Sequence, residues 1–354
     1  MLTTEVDSMS SKKESKTNVT QNDVAKAAGV TRSMVSYVIS GNTERSVAPE
    51  TRQRILKVIE ELGYRPNKAA QALQLGDQAF ASKNIGIVLS NESDFLRPFY
   101  TEIISGIYSA AHENNYNVKF IRFFNELKNP LLFNDFIHPE SIGSVILLAN
   151  NRAIKDDEDE EIIKKIKSKI NKTLCLEWKH EGLTSILFDR QETAKNATEF
   201  LIKKGYTDIA YIGQDDERVF GVQHALLRKN LNAVLKDFYL ANASDAPSAY
   251  EEIVKIAEKG KLPQAIVCGS DEVAIGILHY LNEASIPVPE KVALVSIDNI
   301  EMSAFTNPPL TTMNVQKKLM GHKAVEMIIQ NQVGQNDDAI NITLPSEIVE
   351  RKSC

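Results

Sequence analysis

From Asn84 onward, short apolar runs alternate with longer stretches in which apolar residues recur at helical spacing. The runs are Ile85–Leu89, Val118–Phe120, Val145–Ala149, Leu174–Leu176, Ile186–Phe188, Ile209–Ile212, Ala265–Cys268 and Val292–Ile297. Between them lie helical patterns near 99–114, 158–170, 192–204, 218–231, 248–259 and 271–284. This alternation is the signature of doubly wound parallel sheets. It runs too far for one such sheet and predicts two lobes. The acid run Asp156–Glu161 opens one of the helices, where the macrodipole favours negative charge.

The first 83 residues follow a different pattern. Residues 1–17 are rich in Ser, Thr and Lys, carry no apolar period and read as a disordered tail. Over 18–63 three short helices are expected. Thr20 caps the first, with Asp23 at the capping-box position, and Gly29 ends it. Thr31 caps the second, with Val35 and Val38 facing inward. Pro49 opens the third, whose apolar stripe is Ile55, Val58, Ile59 and Leu62, and Gly63 ends it. A helix, a tight turn at Gly29-Val30 and a second helix with a polar start make a helix-turn-helix arrangement. Such a second helix enters the DNA major groove with its first residues at base edges. Those residues are Thr31, Arg32, Ser33 and Met34, followed by Ser36 and Tyr37. Arg32 suits a fork onto guanine, Ser33 several bases or a phosphate, and Met34 a thymine methyl. The alternative is a three-helix bundle that binds protein.

Charge supports the first reading. The chain carries −6 overall, but residues 11–76 hold 11 Lys/Arg against 6 Asp/Glu, so a modestly basic head precedes an acidic body. Residues 68–75 are rich in helix formers yet have no apolar face to bury. A helix that short is marginal in water and is expected to form only against a partner.

Other function classes find little support. No run of about 18 apolar residues suggests a membrane span, and the polar N-terminus has no secretory apolar region. Cys175, Cys268 and Cys354 give neither a disulfide framework nor a metal spacing, which suits a reducing cytoplasm; Cys175 and Cys268 read as small core residues. The six histidines are scattered without metal-binding spacing, and no nucleophile-elbow or phosphate-loop motif occurs. No metal, cofactor or catalytic residue is expected.

The stretch DVAKAAGVTRSMVSYVISG, followed by VAPETRQRILKVIEELGYRPNKAAQALQLG, resembles the DNA-binding head of the LacI/GalR family of bacterial transcription repressors. The resemblance continues through NIGIVLSNESDFLRPFYTEIISGI, LIKKGYTDIAYIG, CGSDEVAIGIL, IPVPEKVALVSIDN and NPPLTTMNVQKKLMGHKAVEMI. It implies an N-terminal all-α helix-turn-helix head with a hinge helix, joined to an α/β two-lobed effector domain like the periplasmic binding proteins, with parallel sheets. The implied divisions are a hinge helix and linker over 64–83 and an effector-binding and dimerisation domain over 84–354. Its first lobe takes about 84–187 plus 314–335, and its second about 188–311 plus 340–352. DNA contacts implied by the resemblance include Thr20 and the hinge residues Asn67, Ala70, Gln71 and Leu73. Leu73 matches the family's wedge leucine. An apolar wedge between base pairs unstacks them and kinks the duplex.

The resemblance places an effector between the lobes, and open parallel sheets bind ligands beyond the carboxyl ends of their strands. Asp298 and Arg218 match effector-contacting positions. Asp271 matches as well, with helix capping as its alternative. Phe99 and Tyr100 match ligand-facing aromatics, and Phe188, Glu177 and Trp178 are further candidates. Carboxylates and guanidiniums that bond neighbouring hydroxyls suit a sugar. One departure is Asp189-Arg190-Gln191-Glu192, where the family often shows Asp-Asn and a glycine, so this side of the pocket is in question.

The expectation is a cytoplasmic homodimer that binds a near-palindromic double-stranded operator, represses carbohydrate-utilisation genes and answers to a small-molecule effector. The alternatives are a sugar-binding receptor whose head is a docking module, an enzyme acting on a sugar in the same cleft, and a global regulator that depends on a phosphoprotein.

Overall fold

The computed structural model describes residues 19–40, 47–64, 81–148, 154–229, 239–260 and 262–354. The chain divides into two compact units, Met1–Gly76 and Asp77–Cys354.

In the first unit, helix α1 is Gln21–Ala28, α2 is Arg32–Ser40 and α3 is Pro49–Leu62. The capping box forms as its residues predict: the Asp23 amide donates to Thr20 Oγ1, and the Thr20 amide to Asp23 Oδ2 at 2.8 Å. Gly29 and Gly63 end α1 and α3 at φ +63° and +60°, a left-handed conformation that favours glycine. Val24, Ala28, Val35, Val38, Ile55, Val58 and Tyr64 make one small core. Arg54 Nε donates to Ala28 O and ties α3 to the end of α1. Leu62, expected in the inward stripe, is exposed among the described residues. The expected hinge residues Asn67, Ala70, Gln71 and Leu73 lie outside the described residues, as does the expected tail.

The second unit holds two six-stranded sheets. The first contains β1 (Asn84–Leu89), β2 (Asn117–Phe123), β3 (Ser144–Leu148), β4 (Lys172–Leu176), β5 (Thr184–Phe188) and β11 (Asn341–Leu344). Its order is β11-β5-β4-β3-β1-β2, parallel throughout. The second contains β6 (Ile209–Gly213), β7 (Tyr239–Asn242), β8 (Ala265–Cys268), β9 (Ala293–Asp298), β10 (Thr311–Val315) and β12 (Ser346–Val349). Its order is β12-β10-β9-β8-β6-β7, with only β12 antiparallel. Strands β1, β3, β6, β8 and β9 are buried along their whole length, because helices cover both faces of each sheet.

The helices expected from apolar spacing form close to their predicted positions, at Pro98–Glu113, Asp157–Lys169, Arg190–Lys203, Glu217–Arg228, Ala246–Glu258 and Asp271–Glu283. The lobe division differs from the expectation in two places, the first being that Asn314 and Val315, expected in the first lobe, end β10 in the second sheet. Residues 340–352 are all expected in the second lobe, but Asn341–Leu344 pairs in parallel with β5 in the first sheet, and only Ser346–Val349 joins the second. The preceding helix Lys317–Ile329 leaves β10 of the second sheet and packs on β4 and β5 of the first, which brings the chain back beside β5. Two four-residue strands with half-exposed patterns carry no signal of which sheet they join.

Helix Lys317–Ile329 packs closely on Pro98–Glu113. A Cβ on Gly106 would lie 2.3 Å from Lys318 O, and one on Gly321 would lie 2.3 Å from Ile103 O. The main core runs through these helices, both sheets and the Arg190–Lys203 and Glu217–Arg228 helices. Cys175 and Cys268 are fully buried in the outer cores of the two lobes, where burial pushes their thiols up.

Candidate functional site

In both sheets the strand order reverses after the first strand, between β1 and β3 in one and between β6 and β8 in the other. Crevices at such switch points, outside the carboxyl ends of the strands, are where open sheets hold ligands. A cavity of 330 Å³ lies there, and both lobes line it. Phe99, Tyr100, Glu177, Phe188, Arg218 and Asp298 all face it, so six of the eight expected effector residues come together.

Each is placed by its local structure. Pro98 opens the helix that carries Phe99 and Tyr100, and their rings meet edge-on at 5.3 Å. The Phe188 ring lies 6.3 Å from Phe99. Asp216 caps the Glu217–Arg228 helix and pairs with Arg218, whose Nε lies 2.9 Å from Asp216 Oδ1. Arg218 also donates to Gly269 O and, at 3.2 Å, to Gln214 Oε1. With Nη2 on both Asp216 and Gln214, four of its five N–H groups are used and one remains on Nη1. Burial alone would raise the Asp216 carboxyl, but the Arg218 hydrogen bonds and charge hold it below its ordinary value.

Asp298 ends β9 at φ +122°, and Asn299 follows at φ +53°. Burial raises the Asp298 carboxyl well above the usual carboxylate range, and the Asp271 charge adds to this; Lys317, Arg218 and Arg97 counter it. Glu177 sits at φ +74°, buried and paired with Arg190, which also donates to Glu177 O at 3.0 Å. Burial raises the Glu177 carboxyl, and Arg190 and then Arg218 oppose that rise.

Two expected residues do not reach this cavity. Asp271 is enclosed beneath it: Ile300 N and Thr312 Oγ1 donate to its carboxylate at 2.7 and 2.6 Å, and Ser296 Oγ also donates. Nor does it cap its helix, since Ser270 does so by accepting from Val273 N. Trp178 turns away into the outer core of the first lobe, where its Nε1 donates to Leu147 O at 3.3 Å.

Sequence reasoning missed Arg97, Arg190, Gln214 and Ser244, all of which line the cavity. Arg190 lies in the departure Asp189-Arg190-Gln191-Glu192, so the residue that breaks the expected pattern supplies the partner of Glu177. Arg97 crosses between the lobes to Glu272 and Ser244 O. Beyond it lies an outer cavity of 430 Å³, which shares Arg97, Gln214 and Ser244 with the inner one.

In the head, Arg32, Ser33 and Met34 are exposed at the start of α2, and Thr31 Oγ1 accepts from Met34 N at 3.4 Å. Ser36 and Tyr37 are half-buried. The Thr20 hydroxyl is occupied by the cap, donating to Asp23 Oδ2 at 2.7 Å. Among the described residues, no group of three or more His, Cys, Asp or Glu could hold a metal ion, and no helix is long and apolar enough to cross a membrane.

Residues 20–67 match the model of the bacterial regulatory proteins of the lacI family, and residues 198–354 match a periplasmic binding protein-like domain. The HTH-type transcriptional repressor PurR of Vibrio campbellii is 26% identical over 339 residues, covering 94% of this chain and 97% of that protein. This chain belongs to the LacI family of bacterial regulatory proteins. Its fold is likewise that of LacI-family structures. The lac repressor dimer bound to operator and the anti-inducer ONPF superposes with a TM-score of 0.71 at 23% identity, over 95% of this chain and 99% of that one. The transcriptional regulator CelR in complex with cellobiose gives a TM-score of 0.65 at 22% identity, over 95% and 100%. As a LacI-family member the chain is a DNA-binding transcription regulator rather than an enzyme, with a ligand-binding domain behind the DNA-binding head.

Proposed function

We propose that this regulator acts in the cytoplasm as a homodimeric repressor of carbohydrate-utilisation genes, controlled by a sugar bound between the lobes. The observation that carries the reading is the makeup of the inner cavity: three aromatic side chains, Phe99, Tyr100 and Phe188, beside a buried carboxylate and a guanidinium, Asp298 and Arg218. Aromatic faces cover the apolar side of a sugar ring, and fixed charged groups bond its hydroxyls with little tolerance for a missing one. Structural relatives that hold cellobiose or ONPF in the same fold support the ligand class.

The exposed start of α2, with Arg32, Ser33 and Met34, reads the operator, and Thr20, Ser36 and Tyr37 contribute beside it. A two-fold dimer presents two such helices to a near-palindromic site. The hinge residues Asn67, Ala70, Gln71 and Leu73 extend the contact. The effector changes the angle between the lobes, and that angle governs operator affinity, so the two ligands are linked reciprocally.

The test is a mobility shift on DNA upstream of the protein's own gene, with a panel of mono- and disaccharides added. Retarded DNA whose mobility changes with one sugar supports the reading. Specific retardation that no sugar alters removes the sugar as effector, and no specific retardation removes the operator. Trp178 adjoins the cavity-lining Glu177 in the chain, its ring packed in the outer core of the first lobe, and its fluorescence serves to follow the sugar titration.

A further inference from the structure

We infer that Lys317 is a positioning residue for the effector cavity: from the first turn of the Lys317–Ile329 helix, its buried ammonium grips the Asp298–Asn299 turn and aims the Asp298 carboxylate. The inference rests on the effector reading only in taking Asp298 as a ligand contact.

The turn needs such support. Asp298 and Asn299 lie consecutively at φ +122° and +53°, a region that L side chains adopt at a cost and keep only where the surroundings fix it. Lys317 is 3% exposed and donates to Asp298 O, to Asn299 O at 3.3 Å and to Val315 O at 3.5 Å. Three carbonyls take up the three donors of an ammonium. The nearest countercharge is Glu102, 3.7 Å away on the Pro98–Glu113 helix, and burial raises its carboxyl.

The lysine is poorly placed for its own helix. A cation in the first turn opposes the macrodipole, and this helix has neither an acid in its first turn nor a side-chain cap. Burying an ammonium also carries a desolvation cost that an apolar side chain of similar length avoids, and its pairing with Glu102 at 3.7 Å offsets that only in part. What lysine supplies and methionine cannot is the grip on the Asp298–Asn299 backbone, together with a positive charge beside the Asp298 carboxylate.

The grip also joins the two walls of the cavity. The Lys317–Ile329 helix packs on the helix that carries Phe99 and Tyr100, through Gly106 and Gly321. The rings of one lobe and the carboxylate of the other are thereby held in register. The charged groups that act on Asp298 are Asp271 from its own lobe, Arg218 at the start of the Glu217–Arg228 helix, Arg97 from the first lobe, and Lys317.

The experiment uses the full chain without any effector. Hydrogen exchange read by mass spectrometry compares the parent with Lys317→Met and Lys317→Gln, the latter neutral but still a donor. Carbon NMR of labelled aspartate follows the Asp298 carboxyl, assigned by its absence in Asp298→Asn. Exchange in peptides covering 298–301 is expected to quicken by about tenfold or more in Lys317→Met and by less in Lys317→Gln, with β9 residues 293–297 unchanged. The Asp298 titration moves to higher pH in both. If one variant does not fold, the other still reports both quantities. Unchanged exchange and an unchanged titration overturn the assignment, as does a loss of protection spread evenly over the lobe. A sugar panel that fails to bind overturns the effector reading without altering these two readouts.

Discussion

Arg97 and Glu272 pair across the cleft, with Arg97 Nε 2.7 Å from Glu272 Oε2 and both side chains about one-fifth exposed. Arg97 precedes the first-lobe helix Pro98–Glu113, and Glu272 lies in the second-lobe helix Asp271–Glu283. The pair stands between the inner and outer cavities. Glu272→Gln is expected to lower stability by about 1 kcal/mol and to widen the cleft, seen as a larger radius of gyration by small-angle scattering. An unchanged radius would show that closure does not depend on the pair.

Asp298, the proposed effector contact, weakens the fold at neutral pH. A carboxyl whose folded pKa lies above its unfolded value of about 3.9 binds more protons when folded. Stability therefore falls as pH rises from that value through the raised one. Asp298→Asn is expected to gain about 1 kcal/mol at pH 7 while losing the effector response. The gain should disappear below about pH 4, where the parent carboxyl is protonated in both states. Melting curves at the two pH values check this, and a variant less stable than its parent at pH 7 contradicts it.

Arg218 has the opposite balance. It neutralises Asp216 and fixes the Gln214–Arg218 loop to Gly269. Arg218→Ala leaves a largely buried carboxylate without its partner and is expected to cost about 3 kcal/mol in urea unfolding. Because Asp216 is held below its ordinary value, its contribution is present at neutral pH and is lost as pH falls through the folded pKa. The parent and the variant should therefore converge in acid. Arg218→Lys keeps the charge but not the planar fork, and should recover only part of the loss.

Arg32 is exposed at the start of α2, and the proposed function sets its guanidinium at base edges. Arg32→Ala is expected to cost about 1–3 kcal/mol of specific operator affinity and to relax selectivity at one base pair. Equal affinity for the operator and a base-substituted version would fit; a uniform loss on all DNA would make Arg32 a phosphate contact instead.

Leu73→Ala is expected to lose specific operator affinity while effector binding stays near that of the parent, because unstacking by an apolar wedge acts only on the duplex. Equal operator affinity in the two proteins would remove the wedge role.

Much of this architecture is legible in the sequence because the two periodicities are physical. A buried parallel strand reads as an apolar run, and the helix that covers it reads as a stripe of period 3.6. The runs and stripes between Ile85 and Ile297 accordingly mark most of the strands and the long helices of both lobes, with the edge strand β7 (Tyr239–Asn242) missed. The weak signals are at the edges. β11 and β12 are four residues each and partly exposed, and β10 begins with two threonines, so their pattern does not name a sheet.

The cavity was legible where a residue at a family-matched position also lines it, as at Phe99, Arg218 and Asp298, and not where neighbours diverge. Glu177 and Trp178 are adjacent, yet one faces the cavity and the other the outer core. Asp271 follows β8 and Asp298 ends β9, yet Ser296, Thr312 and the Ile300 amide enclose the first while the second lines the cavity. What the sequence by itself determined is the succession of elements and the capped, glycine-ended helices of the head, since these depend on contacts a few residues apart. Which carboxylate stays open to a ligand, that Arg190 answers Glu177 and that Lys317 holds Asp298 were decided only in the tertiary structure. Desolvation and hydrogen bonding there depend on groups brought together from separate parts of the chain, and no local pattern encodes them.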